Sequence, residues 1–162
     1  IEARDHGVLP TVAVITAALT ISDPRERPEG KETQADQAHA AFRDPASDFI
    51  TLFNIWRAAA GDPGQKKPFI RAKDLKAFVK TNWLSFKRMR EWLDVYDQIT
   101  TLLEESGISL EDGTFSPKPV KNDRKSGFSN RYAAVHQEVL SGFLANIAER
   151  KEKNIYRCAR QK

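Results

Sequence analysis

From Leu9 to Ser22 the chain carries no charged residue, and its apolar positions follow no single face. Val12, Ala13, Val14, Ile15, Ala17, Ala18, Leu19 and Ile21 cover every direction around a 3.6-residue helix, so the pattern predicts a helix enclosed by other elements. Pro10 suits its first turn, where no N–H is needed, and Pro24 disfavours a helical Asp23, so the helix should stop near Ser22. The segment is too short to cross a bilayer. The chain then presents Arg25 and Arg27 between Pro24 and Pro28, a stiffened basic loop on the end of a buried rod.

Other segments are amphipathic. A helix from about Gln34 to Phe42 has few apolar residues and should be peripheral, ending at Asp44-Pro45. Ser47 is a good N-cap and Asp48 suits a first turn. Phe49, Leu52, Phe53 and Trp56 then recur at i, i+3, i+4 and i+7, predicting a helix that runs to Gly61. On its other side lie Thr51, Asn54 and Arg57, read as exposed surface. A helix over about 71–81 turns Leu75, Phe78 and Val79 inward and Lys73, Lys76 and Lys80 outward. The longest helix spans about 86–105, with Phe86, Met89, Leu93, Tyr96, Ile99 and Leu103 in a stripe widened by Trp92, Val95 and Leu102, and Gly107 just past its end. Residues 108–129 show neither helical nor strand period and read as a long loop. Ser129 or Asn130 caps a last helix with Tyr132, Val135, Val139, Leu140, Phe143, Leu144 and Ile147 inward, which the charged run 149–153 carries into solvent. The pattern predicts an all-α bundle of about six helices.

A chain of 162 residues can bury a full core without disulfides or metal. Cys158 is its only cysteine, as in a reducing compartment, and Glu2, Arg4 and Asp5 before the apolar run do not read as a signal peptide. Both ends read as cuts within a longer protein. The net charge of +4 is unevenly spread: nine basic residues against two acidic ones from Lys66 to Glu91, then six acidic and no basic residues from Trp92 to Asp112. Such segregation suits a polyanion on one side.

Catalytic chemistry is not visible in the chain. Gly30-Lys31 is followed by Glu32 and has Arg25 where a phosphate-binding loop needs its first Gly. His6, His39 and His136 have no partners at metal-ligand spacing, Asp94 and Asp97 read as a solvated acidic face, and Ser141-Gly142 lies inside a helix rather than on a nucleophile elbow. The candidates are binding residues. Arg25 and Arg27 suit either the open carbonyls at the end of the first helix or a phosphate or neighbouring domain. Thr51, Asn54 and Arg57 offer small hydrogen-bonding groups beside a cation. The cluster Lys87-Arg88-Met-Arg90, flanked by Trp83 and Trp92, combines cations with aromatic rings, unless those tryptophans are core.

The strings Ala17-Ala-Leu-Thr-Ile-Ser-Asp-Pro-Arg-Glu-Arg-Pro28, Ala35-Asp with His39 and Phe42, Ser47-Asp-Phe-Ile-Thr-Leu-Phe-Asn54 and Arg88-Met-Arg-Glu-Trp-Leu-Asp-Val-Tyr96 closely resemble the C-terminal region of bacterial DEAH-box RNA helicases of the HrpA type. The likeness continues through Tyr132-Ala-Ala-Val-His136 and Leu140-Ser-Gly-Phe-Leu144 to Tyr156 and Arg160. It implies a helical helicase-associated, ratchet-like domain over 1–154, following a winged helix, with 155–162 opening an oligonucleotide-binding barrel. It further implies a cytoplasmic, monomeric, ATP-dependent RNA helicase as parent, whose ATPase lobes bind ATP and Mg, with no cofactor, metal or catalytic residue in this segment. The implied partners are single-stranded RNA and the neighbouring ATPase, winged-helix and barrel domains, with no membrane. Arg25, Arg27, Thr51, Asn54, Arg88 and Arg90 are the candidates for RNA or interdomain contact. The alternative is a helical adaptor for protein–protein interaction.

Overall fold

A computed structural model of the chain describes residues 8–63, 70–108, 110, 130–142, 148–153 and 155–158. Among these are six helices, α1 (Leu9–Thr20), α2 (Glu32–Ala40), α3 (Asp48–Ala60), α4 (Ala72–Thr81), α5 (Phe86–Glu105) and α6 (Asn130–Gly142), followed by strands β1 (Ala148–Glu152) and β2 (Ile155–Cys158). The architecture is the expected all-helical bundle, with one two-stranded hairpin added.

α1 is the centre, packed against α3, α5 and α6. Thr11, Val14, Ile15 and Ala17 are fully buried, Leu9 and Val12 partly so, and Leu19 is the one large apolar side chain that stands exposed, at 38%. The aromatic core lies between α3 and α5: the Trp56 ring sits 5.4 Å from Trp92 and 4.6 Å from Tyr96, centroid to centroid. The Trp92 indole N–H donates to the Val14 carbonyl at 3.0 Å, tying α5 to the middle of α1. Trp92 is therefore a core residue.

Local signals account for the ends. Ser47 Oγ accepts from the Ile50 N–H and caps α3. At the end of α5, Gly107 stands at φ 73° while its N–H bonds to the Glu104 carbonyl and the Ile108 N–H to the Leu103 carbonyl, a Schellman closure that a left-handed glycine permits. α2 is peripheral, with only Ala35 buried.

Three expectations are corrected. Residues 149–153 do not prolong the last helix: Ala148–Glu152 pairs antiparallel with Ile155–Cys158, Ala148 opposite Cys158 and Arg150 opposite Tyr156. The run of Glu, Arg and Lys has good helix propensity, and cross-strand hydrogen bonding overrides it. Thr51 is not on the surface, being 3% exposed, because its hydroxyl is satisfied internally. Two stripe residues face solvent instead: Leu102 of α5 is 62% exposed and Leu140 of α6 40%. Phe143, Leu144 and Ile147, the loop residues 109 and 111–129, the possible cap Ser129 and residue 154 lie outside the described residues.

Candidate nucleic-acid interface

The loop after α1 is held as a third strand would be. Arg25 forms an isolated antiparallel bridge with Leu84, the Glu26 N–H donates to the Trp83 carbonyl at 2.8 Å, and the Ser85 N–H donates to the Pro24 carbonyl at 2.8 Å. Trp83 stands at φ 53°, a left-handed conformation a bulky residue rarely takes. Its carbonyl serves two donors, Glu26 N–H and His39 Nε2–H at 3.0 Å. Buried Pro24 completes the anchor. The basic loop is thus fastened to the α4–α5 connection, which no helical periodicity discloses.

This anchoring orients the arginines. The Arg25 guanidinium makes a forked pair with Asp23, Nε to Oδ1 at 3.0 Å and Nη2 to Oδ2 at 2.6 Å, and reaches Asp48 at the start of α3 at 3.3 Å. Arg27 forks onto Asp36 of α2, with bonds of 2.9 and 2.8 Å. Both guanidinium groups thus pair with carboxylates and not with the open carbonyls ending α1; Arg88 takes a related role, donating from Nη1 to the Asp23 carbonyl at 2.8 Å. Burial would raise the Asp23 carboxyl, but the side-chain and backbone hydrogen bonds from Arg25 and its charge outweigh it and lower the pKa. The hydrogen bond with Asp23 raises Arg25. Asp36 is lowered by the hydrogen bond from Arg27.

Between this loop, α2 and the start of α3 lies an open groove of about 750 Å³. Its charged lining is Asp23, Asp36, Asp44 and Asp48 against Arg25, Arg27 and Arg43, with His39 beside them. The 42–48 turn forming one wall is tightly bonded. The Thr51 hydroxyl donates to the Ser47 carbonyl at 3.0 Å and accepts from the Asp44 N–H at 2.9 Å, while Asn54 Nδ2 donates to the Phe42 carbonyl at 2.9 Å. Ser47 Oγ lies 2.7 Å from His136 Nε2, and His136 Nδ1 lies 2.8 Å from the Tyr132 carbonyl, an acceptor only. Nδ1 therefore carries the proton and the Ser47 hydroxyl donates to Nε2, which stitches α6 to the α3 cap. Burial pushes the Tyr132 phenol up, a bond with Ser47 opposing it.

Of the six candidates, Arg25, Arg27 and Thr51 line the groove. Asn54 holds the wall from behind, Arg88 supports the loop, and Arg90 stands exposed on the first turns of α5. Arg57, read with Thr51 and Asn54, pairs instead with Asp62 at 2.6 Å. Arg43, exposed on the groove, has no periodic signal to announce it; only the fold of the 42–48 turn brings it beside Arg25 and Arg27. Among the described residues, no group of three His, Cys, Asp or Glu is placed to hold a metal ion.

No protein-family model matches the chain. The ATP-dependent RNA helicase HrpA of Escherichia coli (strain K12) aligns with 91% of it, 147 residues at 31% identity. This chain is homologous to a segment of HrpA-type RNA helicases. The HrpA homolog of Haemophilus influenzae aligns with 99% of this chain at 29% identity, and HrpA of Borreliella burgdorferi with 54% at 27%. The segment spans only about a tenth of the length of these curated relatives, 10% of the first and third and 11% of the second.

Proposed function

We propose that the chain is the accessory, ratchet-like helical domain from the C-terminal region of a cytoplasmic DEAH-box RNA helicase, and that it helps clamp and advance single-stranded RNA as its parent hydrolyses ATP. The observation that carries this reading is the anchored loop 23–28, which holds Arg25 and Arg27 in fixed orientation on an open groove. ATP and Mg would bind in ATPase lobes elsewhere in the parent. The residues described here form no phosphate loop or metal cluster, so no catalytic step is assigned to them. In this reading Arg25, Arg27 and Arg43 meet the phosphates, Arg90 extends the contact or faces a neighbouring domain, and Thr51, Asn54 and Arg88 hold the groove in shape.

The test is binding of a labelled single-stranded RNA by the 162-residue chain across a salt series. Log affinity should fall linearly with log salt, by about 0.7 per phosphate neutralised. The double variant R25Q/R27Q should weaken binding by on the order of tenfold and flatten that slope. An absence of binding even at low salt would remove the direct contacts.

One observation favours a second reading. The groove sets four aspartates against three arginines, and Arg25 and Arg27 are already ion-paired, a balance that suits a protein segment of mixed charge. As a helical adaptor the chain would bind a polypeptide with little salt dependence.

A further inference from the structure

We infer that the exposed face of α4 is a separate surface that grips the phosphate backbone of RNA without reading its bases. Lys73, Lys76 and Lys80 are all exposed. At 1.5 Å and about 100° per residue they form a straight row, rising about 4.5 and 6 Å from one to the next within an arc of about 60°. The opposite side of α4 buries Leu75 and Val79. The Lys76 ammonium lies 5.4 Å from the centroid of the half-buried Phe86 ring at the start of α5. Asp74, the acidic residue of α4, is held by Arg71 at 2.6 Å on another side of that helix. On α5, Glu91 and Asp94 follow Lys87 and Arg90 at i+4 on the same face and offset them, so the net positive charge belongs to the α4 row.

The make-up of the surface selects its partner. The large apolar side chains exposed among the described residues are Leu19, Leu102, Leu140 and Ile155, none of them on α4. A protein interface needs an apolar centre, and a membrane-surface helix needs an apolar face to insert; this row has neither. The exposed row itself carries no aromatic or amide side chain to stack on bases or read their edges: Ala72 and Ala77 are its small neighbours, and the half-buried Phe86 ring is occupied by Lys76. Cations alone recognise phosphates, and phosphates are as available on paired RNA as on a single strand. The surface therefore accepts a duplex as readily as a single strand, which a groove for unpaired RNA would not; the choice of RNA rests on the helicase reading, but not on the groove's contacts.

The experiment titrates the 162-residue chain against a short blunt-ended RNA duplex over a salt series, with helix content followed by circular dichroism. The wild type should bind at low salt with a steep slope that is indifferent to the base sequence. The variant K73Q/K76Q/K80Q should keep its helix content, bind on the order of tenfold or more weakly, and show a slope flattened by about two to three. K73R/K76R/K80R, which preserves the charge, should bind as the wild type does. The inference is overturned if the wild type ignores the duplex at low salt, if the glutamine variant binds normally, or if the arginine variant is as weak as the glutamine one. Preference for one base sequence, or binding to anionic lipid vesicles in place of RNA, would overturn it too. Failure of the groove reading shows instead with single strands and the R25Q/R27Q variant.

Discussion

At the scale of single residues, two buried hydroxyls have opposite fates. Thr11 is fully buried on α1, and its Oγ1 finds no partner among the described residues. Thr11→Val removes the stranded hydroxyl at nearly constant shape and should stabilise the chain by about 1 kcal/mol, seen as a higher urea midpoint. Ser47 is the reverse case, since its hydroxyl caps α3 through Ile50 and bonds His136 of α6. Ser47→Ala should cost about 1–2 kcal/mol in the same assay, because cap and stitch vanish together. Asp23 supplies a pH dependence. Its pKa is lowered in the folded state, so its contribution is complete above the ordinary carboxylate range and is lost as pH falls through that range and below. With the carboxylate about half exposed, at 51%, solvent screening limits this to less than about 1 kcal/mol. Asp23→Asn should therefore lower the melting temperature slightly near neutrality and make the acid decline shallower; an unchanged acid limb would remove Asp23 from the account.

At the scale of elements, α1 decides the core by being small where its neighbours are large. Ala13, Ala17 and Ala18 are at most 5% exposed and let α3, α5 and α6 approach closely. Ala17→Leu adds volume at a position with no free space and should destabilise by about 1–3 kcal/mol, with partial loss of the near-ultraviolet signal of Trp56 and Trp92. The hairpin shows the converse. Glu149, Arg150, Lys151 and Glu152 have side chains that favour helix, yet they form β1 because Ile155–Cys158 offers a pairing edge. Periodicity reads a helix from within its own sequence, whereas a strand needs its partner.

At the scale of the whole molecule, anchoring and exposure divide the basic residues by task. Arg25 is bound on three sides by its own fold, while Arg27 and Asp36 form an exposed pair at 62% and 53%. Exposed pairs of this kind contribute little, so Arg27→Gln should shift stability by no more than about 0.5 kcal/mol. If that variant loses RNA affinity while melting as the wild type does, the loss belongs to contact and not to folding. Arg88→Ala should behave differently. It frees the Asp23 carbonyl from its tie to α5 and should weaken RNA binding indirectly, with a measurable drop in melting temperature.

The helices were legible because each rests on local rules. Ser47 announced α3, Gly107 closed α5, and the unbroken apolar run of α1 demanded enclosure. The lysine row of α4 was legible too, since its face follows from helical spacing. The groove was not. Arg25 with Asp48, Arg27 with Asp36, Arg43 beside both, and His136 on Ser47 join residues between 9 and 89 positions apart, and no periodicity encodes such distances. Thr51 and Asn54 looked like surface for the same reason, their partners being backbone groups of a turn that exists only once α2 and α3 have met. The sequence by itself determined the six helices and most of the faces they turn inward, through hydrogen bonds and side-chain spacings that close within a few residues; the strand at 148–152 and the placing of Thr51, Leu102 and Leu140 were outside its reach. Only the tertiary structure decided which charges meet, because the energy of an ion pair or a buried hydrogen bond depends on separations through space that the chain sets by folding.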